Sequence, residues 1–381
     1  MKIKKLIFLI LLICLLFSFF SLRGICKEDI VEMPSGFGDA VQALPDDVVD
    51  KLPEEIYSDD ADRVGIALEG IASPKYILEL FGELIGDGVG AALSLCALLC
   101  SILIVAALCS AIKRSVGSEA LSSALGFCVN AVLFAAIVGS VCAQIEMVRN
   151  FFERLNSLMY SMIPVFGAVY VSGGNLATAT ASGSSMYLFI AVSETFCAKS
   201  IVPIASICTA LALCRALSPN IELQSIGNAI KKSYALILGL IMSLLLLLLA
   251  GETSLTAAAD SVGSRAAKML TASMIPVVGG SVAETLRTAA AGVQYIKTVV
   301  GVGGVILVVL LLLPTLVSLL LGRLAFLGAG AVGGLLGCDD EVRLLGDIGG
   351  IYGSMIAAVA MCSVMFIFAM NIFVKTTVAI G

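Results

Sequence analysis

Long apolar runs without a single charged residue limit what this chain can fold into. Gly88–Ile112, Ala120–Ile145, Tyr234–Ala250, Thr298–Leu321 and Ile348–Val374 contain no Asp, Glu, Lys or Arg. Uncharged runs of about 18 or more residues are typical of helices that cross a bilayer. Charged residues make up only 13% of the 381 positions, about half the share of an ordinary soluble protein. The sequence therefore predicts an all-α, polytopic integral membrane protein.

Residue types that enzymes depend on are missing from the chain. It contains no histidine, so His-based general bases, Ser-His-Asp triads and HExxH zinc sites are excluded. The 12 cysteines include no CxxC pair, and thiols in apolar helices mostly pack as small hydrophobic groups. No Walker-type phosphate loop occurs. We therefore expect no catalysis, cofactor, metal ion or nucleic-acid partner, and any transport would have to be powered by another protein.

The first 87 residues divide into two parts. Residues 1–26 combine basic residues with the apolar run Leu6–Phe20, which predicts a signal peptide cleaved before Lys27, or alternatively an uncleaved anchor. Residues 27–87 form an extracytoplasmic segment whose first part, up to Asp62, has twelve acidic residues and two lysines. Such a composition predicts a flexible chain. An amphipathic helix lying on the membrane surface is expected over Arg63–Phe81.

The membrane domain is expected over residues 88–381, with roughly seven or eight spans. Lys113-Arg114 and Lys231-Lys232 flank apolar runs and indicate cytoplasmic ends, because Lys and Arg concentrate on that side. Glu146–Ser157 is charged and amphipathic, which favours an interfacial helix. Leu158–Leu217 is interrupted by Pro and Gly, so it predicts either three short spans or one span with a re-entrant hairpin. On this count the C-terminus lies outside the cytoplasm.

An internal repeat is the most specific pattern in this domain. Ser161–Gly167 (SMIPVFG) recurs with one change as Ser273–Gly279 (SMIPVVG), and the corresponding halves cover about 120–218 and 234–323. Proline and glycine break helices, and broken helices at matching places in two halves are typical of transport pathways. The alternative is that both copies are kinks in packing helices. The candidate pathway or structural residues are Pro164, Gly167, Pro203, Pro276, Gly279 and Pro314.

Five charged residues near these motifs are further candidates. Glu194 and Lys199 lie in an otherwise uncharged stretch, where an ionisable group is costly and often faces water or a partner. Five residues apart on an α-helix, they are not expected to share a face, and the alternative is a short exposed turn. Arg265, Lys268 and Lys297 flank the second motif, either lining a polar vestibule or anchoring helices at the interface.

The second half resembles a known family. Arg265-Ala-Ala-Lys268, Ile275–Gly279, Lys297–Gly301 and Pro314 are similar to stage III sporulation protein AE of endospore-forming bacteria. The resemblance covers roughly Gly88 to the end, and the order of signal peptide, polar segment and multi-span body agrees with it.

The resemblance implies a multi-pass protein of the mother-cell membrane around the forespore. It implies partners among the other stage III sporulation membrane proteins, including a secretion-type ATPase, besides membrane lipid and possible copies of itself. The function implied is that of a channel-like or permease-like component of a transport complex. A free-standing secondary transporter and a non-conducting scaffold are the alternatives. The resemblance implies no catalytic residue.

Cleavage of the signal peptide is directly testable. We expect the mature protein to begin near Lys27, with the acidic segment facing away from the cytoplasm, because a basic n-region precedes the apolar run. Mass spectrometry of the mature N-terminus and protease treatment of intact protoplasts measure the two parts. An acidic segment that stays protected in protoplasts and is digested only after lysis would contradict this topology.

Overall fold

The fold is built from helices, several of them far longer than a bilayer requires. A computed structural model describes residues 33–34, 36–116, 119–217, 223–274 and 279–375. Its helices are α1 (Phe37–Gln42), α2 (Asp46–Val49), a 3₁₀ turn (Glu54–Tyr57), α3 (Ala61–Ile71), α4 (Pro74–Val116), α5 (Glu119–Ser172), α6 (Leu176–Ser193), a π-helical turn (Glu194–Ala198), α7 (Lys199–Leu217), α8 (Leu223–Met274), α9 (Gly279–Leu335) and α10 (Asp339–Lys375). No strand occurs in these ranges, so the predicted all-α class is confirmed.

Six helical segments of the described chain are long and apolar enough to cross a membrane. They are Pro74–Ala111, Ala124–Ser172, Ala177–Arg215, Ser225–Glu252, Ala291–Leu335 and Asp339–Ile372. The expectation of seven or eight spans is therefore too high for the part of the chain that the structure describes. The excess came from Leu158–Leu217, which contains one turn between two long helices rather than several short spans. The interfacial helix expected at Glu146–Ser157 is the middle of α5.

Two left-handed glycines end the helices at the tight turns. Gly174 (φ 74°) follows α5 and Gly337 (φ 73°) follows α9. At the first turn the Asn175 amide donates to the carbonyl of Tyr170, and at the second the Cys338 amide donates to that of Gly333. This is the Schellman arrangement, which needs a residue without a Cβ at the left-handed position. The two turns fold α5 back on α6–α7 and α9 back on α10.

Helix α9 occupies the centre of the bundle. It packs on α10 along most of its length and also contacts α4, α5 and α3. In the most apolar part of α9, 78% of the residues are buried inside the protein, whereas only 17% are buried in the most apolar part of α4. The run Thr298–Leu321 is apolar on every face, and a helix of this kind is stable only when protein or lipid surrounds it completely. The sequence thus places α9 inside and leaves lipid-facing positions to the outer helices.

The acidic segment is folded from residue 36 onward, so the expectation of a flexible chain up to Asp62 is wrong there. Phe37, Val41 and Leu44 are buried against the membrane domain, although acidic residues surround them in sequence. The Lys51 ammonium is 2.9 Å from the Glu83 carboxylate of α4. Helix α3 packs on α9 rather than on lipid alone, since a Cβ on Gly65 would lie 2.7 Å from the Tyr295 hydroxyl.

Two predictions fall partly or wholly outside the described residues. The signal peptide over residues 1–26 does so completely. In the proposed repeat, the first copy lies inside α5, whereas Pro276 of the second copy lies between the end of α8 at Met274 and the start of α9 at Gly279. The repeat therefore stays a hypothesis from the sequence.

Close packing of α9 on α10 leads to a stability prediction. A Cβ on Gly322 would lie 2.6 Å from Tyr352 Cε1, so Gly322→Ala should destabilise the protein by about 1–3 kcal/mol through overpacking. Gly330, on the same helix, has no atom within 4 Å of a built Cβ. Gly330→Ala is thus the matched control and should be neutral or slightly stabilising, because Ala is the better helix former. Thermal unfolding in detergent measures both, and equal Tm values would contradict the packing described here.

Candidate functional site

Polar side chains of three helices meet at a half-buried contact between α5, α9 and α10. The Tyr352 hydroxyl of α10 lies 3.3 Å from the Ser140 hydroxyl of α5. One turn further along α5, the Gln144 amide donates to the Ser318 hydroxyl of α9 at 3.1 Å. We call these four residues the polar seam. Buried polar groups are tolerated when they are hydrogen-bonded, and each partner here comes from a different helix.

A cavity continues the seam towards the acidic segment. Its volume is about 440 Å³, and it lies between α5, α9 and the loop before α2. Its polar lining comes from Glu146, Asn150, Arg154 and Thr315, and Pro314 forms part of its wall. The Arg154 guanidinium donates to the Leu44 carbonyl at 2.6 Å and so ties the acidic segment to this site. Pro314 is thus one sequence-predicted candidate that the structure places at a cavity.

A cluster of charged groups lies at the other end of the seam. The Arg215 guanidinium of α7 is 2.5 Å from the Asp347 carboxylate of α10, and both side chains are mostly buried, at 19% and 15% exposure. The Lys231 ammonium approaches Gly350, and the Arg323 guanidinium approaches Gly353; each is within 3.3 Å of where a Cβ would stand. Arg323 Nε is buried without a hydrogen-bond partner among the described residues. We call Arg215, Lys231, Arg323 and Asp347 the basic cluster.

Lys297 is the most deeply buried charged side chain at the opposite end. It is 1% exposed, and its Nζ has no hydrogen-bond partner in the described part of the chain. The Nζ lies 5.5 Å from the centre of the Tyr170 ring, which is within range of a cation–π contact. Tyr170 lies near the C-terminal end of α5, where the helix dipole also favours a cation. The sequence singled out Lys297 but not this aromatic partner.

Two methionines lie against α9 at Gly304, between Lys297 and the seam. A Cβ on Gly304 would lie 3.1 Å from the Met370 sulfur and 3.2 Å from Met162 Cε. Both methionine side chains are fully buried. Methionine is flexible and fills irregular space, so this layer is apolar but adaptable. Sequence reasoning missed these two residues because single methionines in apolar runs carry no pattern.

Glu194 and Lys199 do form an ion pair, contrary to the expectation from their spacing. Their charged atoms are 3.0 Å apart. Residues 194–198 form a π-helical turn, whose i→i+5 hydrogen bonds bring residues five apart onto one face. The helix continues through this point, so the alternative of a short exposed turn is also wrong. The Lys199 side chain is 67% exposed on the bundle surface.

The remaining candidates do not converge on one place. Pro164 and Pro203 lie inside the continuous helices α5 and α7, so neither ends a helix, and both are exposed. Gly167 is half-buried on α5 with no atom within 4 Å of a built Cβ. Arg265 and Lys268 lie on α8 and Gly279 begins α9, but their side chains are outside the described part, as is all of Pro276.

Two pairs of sulfur contacts complete the interior. The Cys197 and Cys362 thiols, both free, lie 2.8 Å apart between the π-helical turn and α10. The Cys338 thiol donates to the Leu103 carbonyl at 3.7 Å. Burial first, and then the Glu341 and Asp339 carboxylates, raise the pKa of Cys338, which therefore stays a thiol at neutral pH. No group of three or more His, Cys, Asp or Glu arranged to hold a metal ion occurs among the described residues.

Comparison with known families identifies the chain. The family model for stage III sporulation protein AE matches residues 68–377, which is most of the chain. The chain belongs to this family. No curated protein and no solved structure matches it significantly. As a stage III sporulation protein with six apolar helices of spanning length in its described part, it is a membrane component of sporulation, with other sporulation proteins as its partners.

The Arg215–Asp347 pair should matter far more for stability than ion pairs on the surface. Asp347→Asn leaves Arg215 mostly buried without its counter-charge and should cost about 3–5 kcal/mol. The control is Glu153→Gln, which removes an exposed ion pair with Arg149 and should cost about 0–1 kcal/mol. Thermal unfolding in detergent compares the two variants. Equal losses would show that the basic cluster is hydrated like the surface.

Proposed function

We propose that this protein forms the membrane-embedded conduit of a sporulation transport complex between mother cell and forespore. The observation that carries the proposal is the polar seam, with its cavity on one side and the basic cluster on the other. Uncharged polar side chains can also join membrane helices by hydrogen bonds. Here a cavity and a set of partly buried charges flank them, and ionisable groups inside a membrane protein usually mark a path for substrate or ions.

The order of groups along α9 supports a gated path rather than an open pore. From one end it has Arg323, then Ser318, then Pro314 at the cavity, then Gly304 under the two methionines, and finally Lys297. Between Pro314 and Gly304 the side chains from Val305 to Leu313 are apolar and buried. Met162 and Met370 pack at the Gly304 end of this stretch. We infer that this apolar stretch, with the adaptable methionines at its end, is the closed gate.

Family membership supports a proposal for the partners and the energy source. The sequence has no phosphate-binding loop, so ATP hydrolysis would have to come from another protein. We propose a secretion-type ATPase of the same complex as the source, and the mother-cell membrane around the forespore as the location. The Glu194–Lys199 ion pair is exposed on the bundle, so a neighbouring subunit or a second copy is proposed to cover it.

The seam is tested by removing its polar groups without changing the bundle surface. We expect Gln144→Leu with Ser318→Ala to reduce transport by roughly tenfold, because about 1.4 kcal/mol of hydrogen bonding is lost from the path. The control is Ser101→Ala with Ser243→Ala, since these exposed serines bond only to carbonyls of their own helices at 2.8 and 2.7 Å. The measurements are forespore expression of a late reporter gene in sporulating cells, and ion flux through proteoliposomes.

The outcomes separate the proposed conduit from its two alternatives. Normal reporter expression and normal protein level in the seam variant would refute the conduit and leave a scaffold. Substrate uptake by the purified wild-type chain, driven by an ion gradient without any partner, would instead indicate a free-standing secondary transporter. A seam variant that is present and assembled but inactive, with an active control, supports the conduit.

A further inference from the structure

Contacts between α4 and the central helix α9 show where the apolar run of α4 lies along the axis of the bundle. A Cβ on Gly88 would lie 2.7 Å from Leu321, and a Cβ on Gly333 would lie 3.2 Å from Leu103. The two helices therefore run parallel in a constant register. Gly88 is the first residue of the α4 run, so this run begins beside Leu321 and extends towards and past the C-terminal end of α9, up to Ile112.

The apolar run of α8 begins at the same height. Lys231, just before the run Tyr234–Ala250, lies 3.3 Å from a Cβ built on Gly350 of α10. Two residues beyond Gly350, Tyr352 contacts Gly322 of α9, with 2.6 Å between the ring and a built Cβ. The basic end of the α8 run, at Lys231, is therefore level with Gly88, the first residue of the α4 run.

From this common level the two runs extend in opposite directions. Along α8, Gly239 lies against Met361 of α10, with 3.3 Å between a built Cβ and the sulfur. Further along α10, Met370 lies against Gly304 of α9. The α8 run therefore accompanies the N-terminal half of the α9 span, and the α4 run accompanies its C-terminal half.

One bilayer perpendicular to the helices cannot contain both runs. The α4 run has 25 residues (88 to 112) and the α8 run has 17 (234 to 250), which correspond to about 37 and 26 Å at 1.5 Å per residue. End to end they exceed about 60 Å, twice the ~30 Å thickness of a hydrocarbon core. Their midpoints are separated by about 20 residues of α9, or about 30 Å.

Charged surfaces lie opposite each apolar run at the same height. Gln144 is beside Ser318 and Met162 is beside Gly304, so the α5 stretch between them is level with the α8 run. This stretch exposes Glu146, Arg149 and Glu153. At the height of the α4 run, the basic cluster and the exposed Arg343–Asp340 pair lie on the side of α7 and α10.

We propose that a single bilayer crosses the bundle obliquely, displaced by about 30 Å along the helix axes between the α4–α5 side and the α8 side. Lipid then contacts both apolar runs and neither charged surface. The basic ends of the α4 and α8 runs and the basic cluster lie on one side, and the acidic segment lies on the other, as the preference of Lys and Arg for the cytoplasmic side requires. The partner of the two apolar runs is lipid. The exposed Glu194–Lys199 pair, which is level with the α8 run through the Cys197–Cys362 contact, is covered by a neighbouring subunit instead.

The length of the α4 run agrees with an oblique crossing. About 37 Å of α4 fits a ~30 Å core when the helix is tilted by roughly 40°, the upper end of the range seen for membrane helices. The run of α8 is shorter, but Lys231 and Lys232 at its basic end can extend their stems along lipid and place their charges at the surface.

The absence of tryptophan from the chain gives a clean test, because each introduced Trp is the only one. Leu98→Trp on α4 and Cys214→Trp on α7 are nearly level, as Cys96 lies beside Gly328 of α9 and Arg215 beside Asp347 of α10. These two positions, and the two of the second pair introduced below, are exposed on the bundle surface, so folding should be preserved.

The second level pair is Leu240→Trp on α8 and Asn150→Trp on α5. In liposomes containing the full-length protein, Leu98→Trp and Leu240→Trp should be quenched by brominated acyl chains. Cys214→Trp and Asn150→Trp should be quenched by iodide instead. If the two Trp residues of each level pair were quenched equally by the same agent, the bilayer would be perpendicular to the helices and the oblique crossing would be overturned. Trp residues at 98 or 240 that neither agent quenches would overturn it too, because a protein surface would then cover the run.

Two native cysteines provide a second measurement without any substitution. Cys128 of α5 lies 12 residues before Ser140, which contacts Tyr352 of α10. Cys214 precedes Arg215, which contacts Asp347, five residues before Tyr352 on α10. Cys128 therefore lies about 10 Å further towards the basic end of the bundle than Cys214. Both thiols are exposed in the isolated chain. N-ethylmaleimide in native membranes should label Cys214 and spare Cys128, as read by peptide mass spectrometry. Labelling of Cys128 equal to or above that of Cys214 would refute the proposal.

Discussion

The length of the central helix is the constraint on which the rest of the structure depends. The apolar part of α9, Ala291–Leu335, has 45 residues, or about 67 Å, whereas a span needs about 20 residues. Lipid alone cannot surround such a helix, so other helices must cover both of its halves. Helix α4 covers the C-terminal half, and α3, α5 and α10 cover the N-terminal half, with α8 packed outside α10. Their own outer faces then meet lipid at different heights, which is why the apolar surface is oblique.

A buried centre of this length also decides where polar groups are tolerated. The hydroxyl and amide groups of the seam are satisfied across helices, so they fix the register of α5 and α10 against α9. Two buried charged side chains of the described residues are partly compensated. Arg215 has Asp347, and Lys297 has the Tyr170 ring near the end of the α5 dipole. Arg323 Nε and Lys297 Nζ keep unused donors, so they are the places where an anion or a moving substrate would gain most.

The sequence predicts the class of fold well and the local irregularities poorly, for identifiable reasons. Uncharged runs determine the helices, and the left-handed Gly174 lies in Leu158–Leu217, where glycine interruptions were expected; Gly337 was not singled out. The spacing of Glu194 and Lys199 was misjudged because an α-helical period was assumed where five residues form a π turn. Proline was given too much weight: α5 continues past Pro164, since neighbouring groups can satisfy a freed carbonyl in a membrane helix. Contacts such as Cys197–Cys362 join distant parts of the chain and leave no local pattern.

The acidic segment shows how averaged composition can hide a folded unit. Its charge suggested flexibility, yet Phe37, Val41 and Leu44 recur at spacings of four and three and bury one face of a short helical run. Phe37 fills the space that Gly303 leaves open on α9, and Gly36 lies against Val165 of α5. The same unit therefore contacts both helices that enclose the methionine layer. Any movement that separates α5 from α9 at Gly304 must also loosen this contact, so the folded acidic segment stabilises the closed arrangement of the bundle.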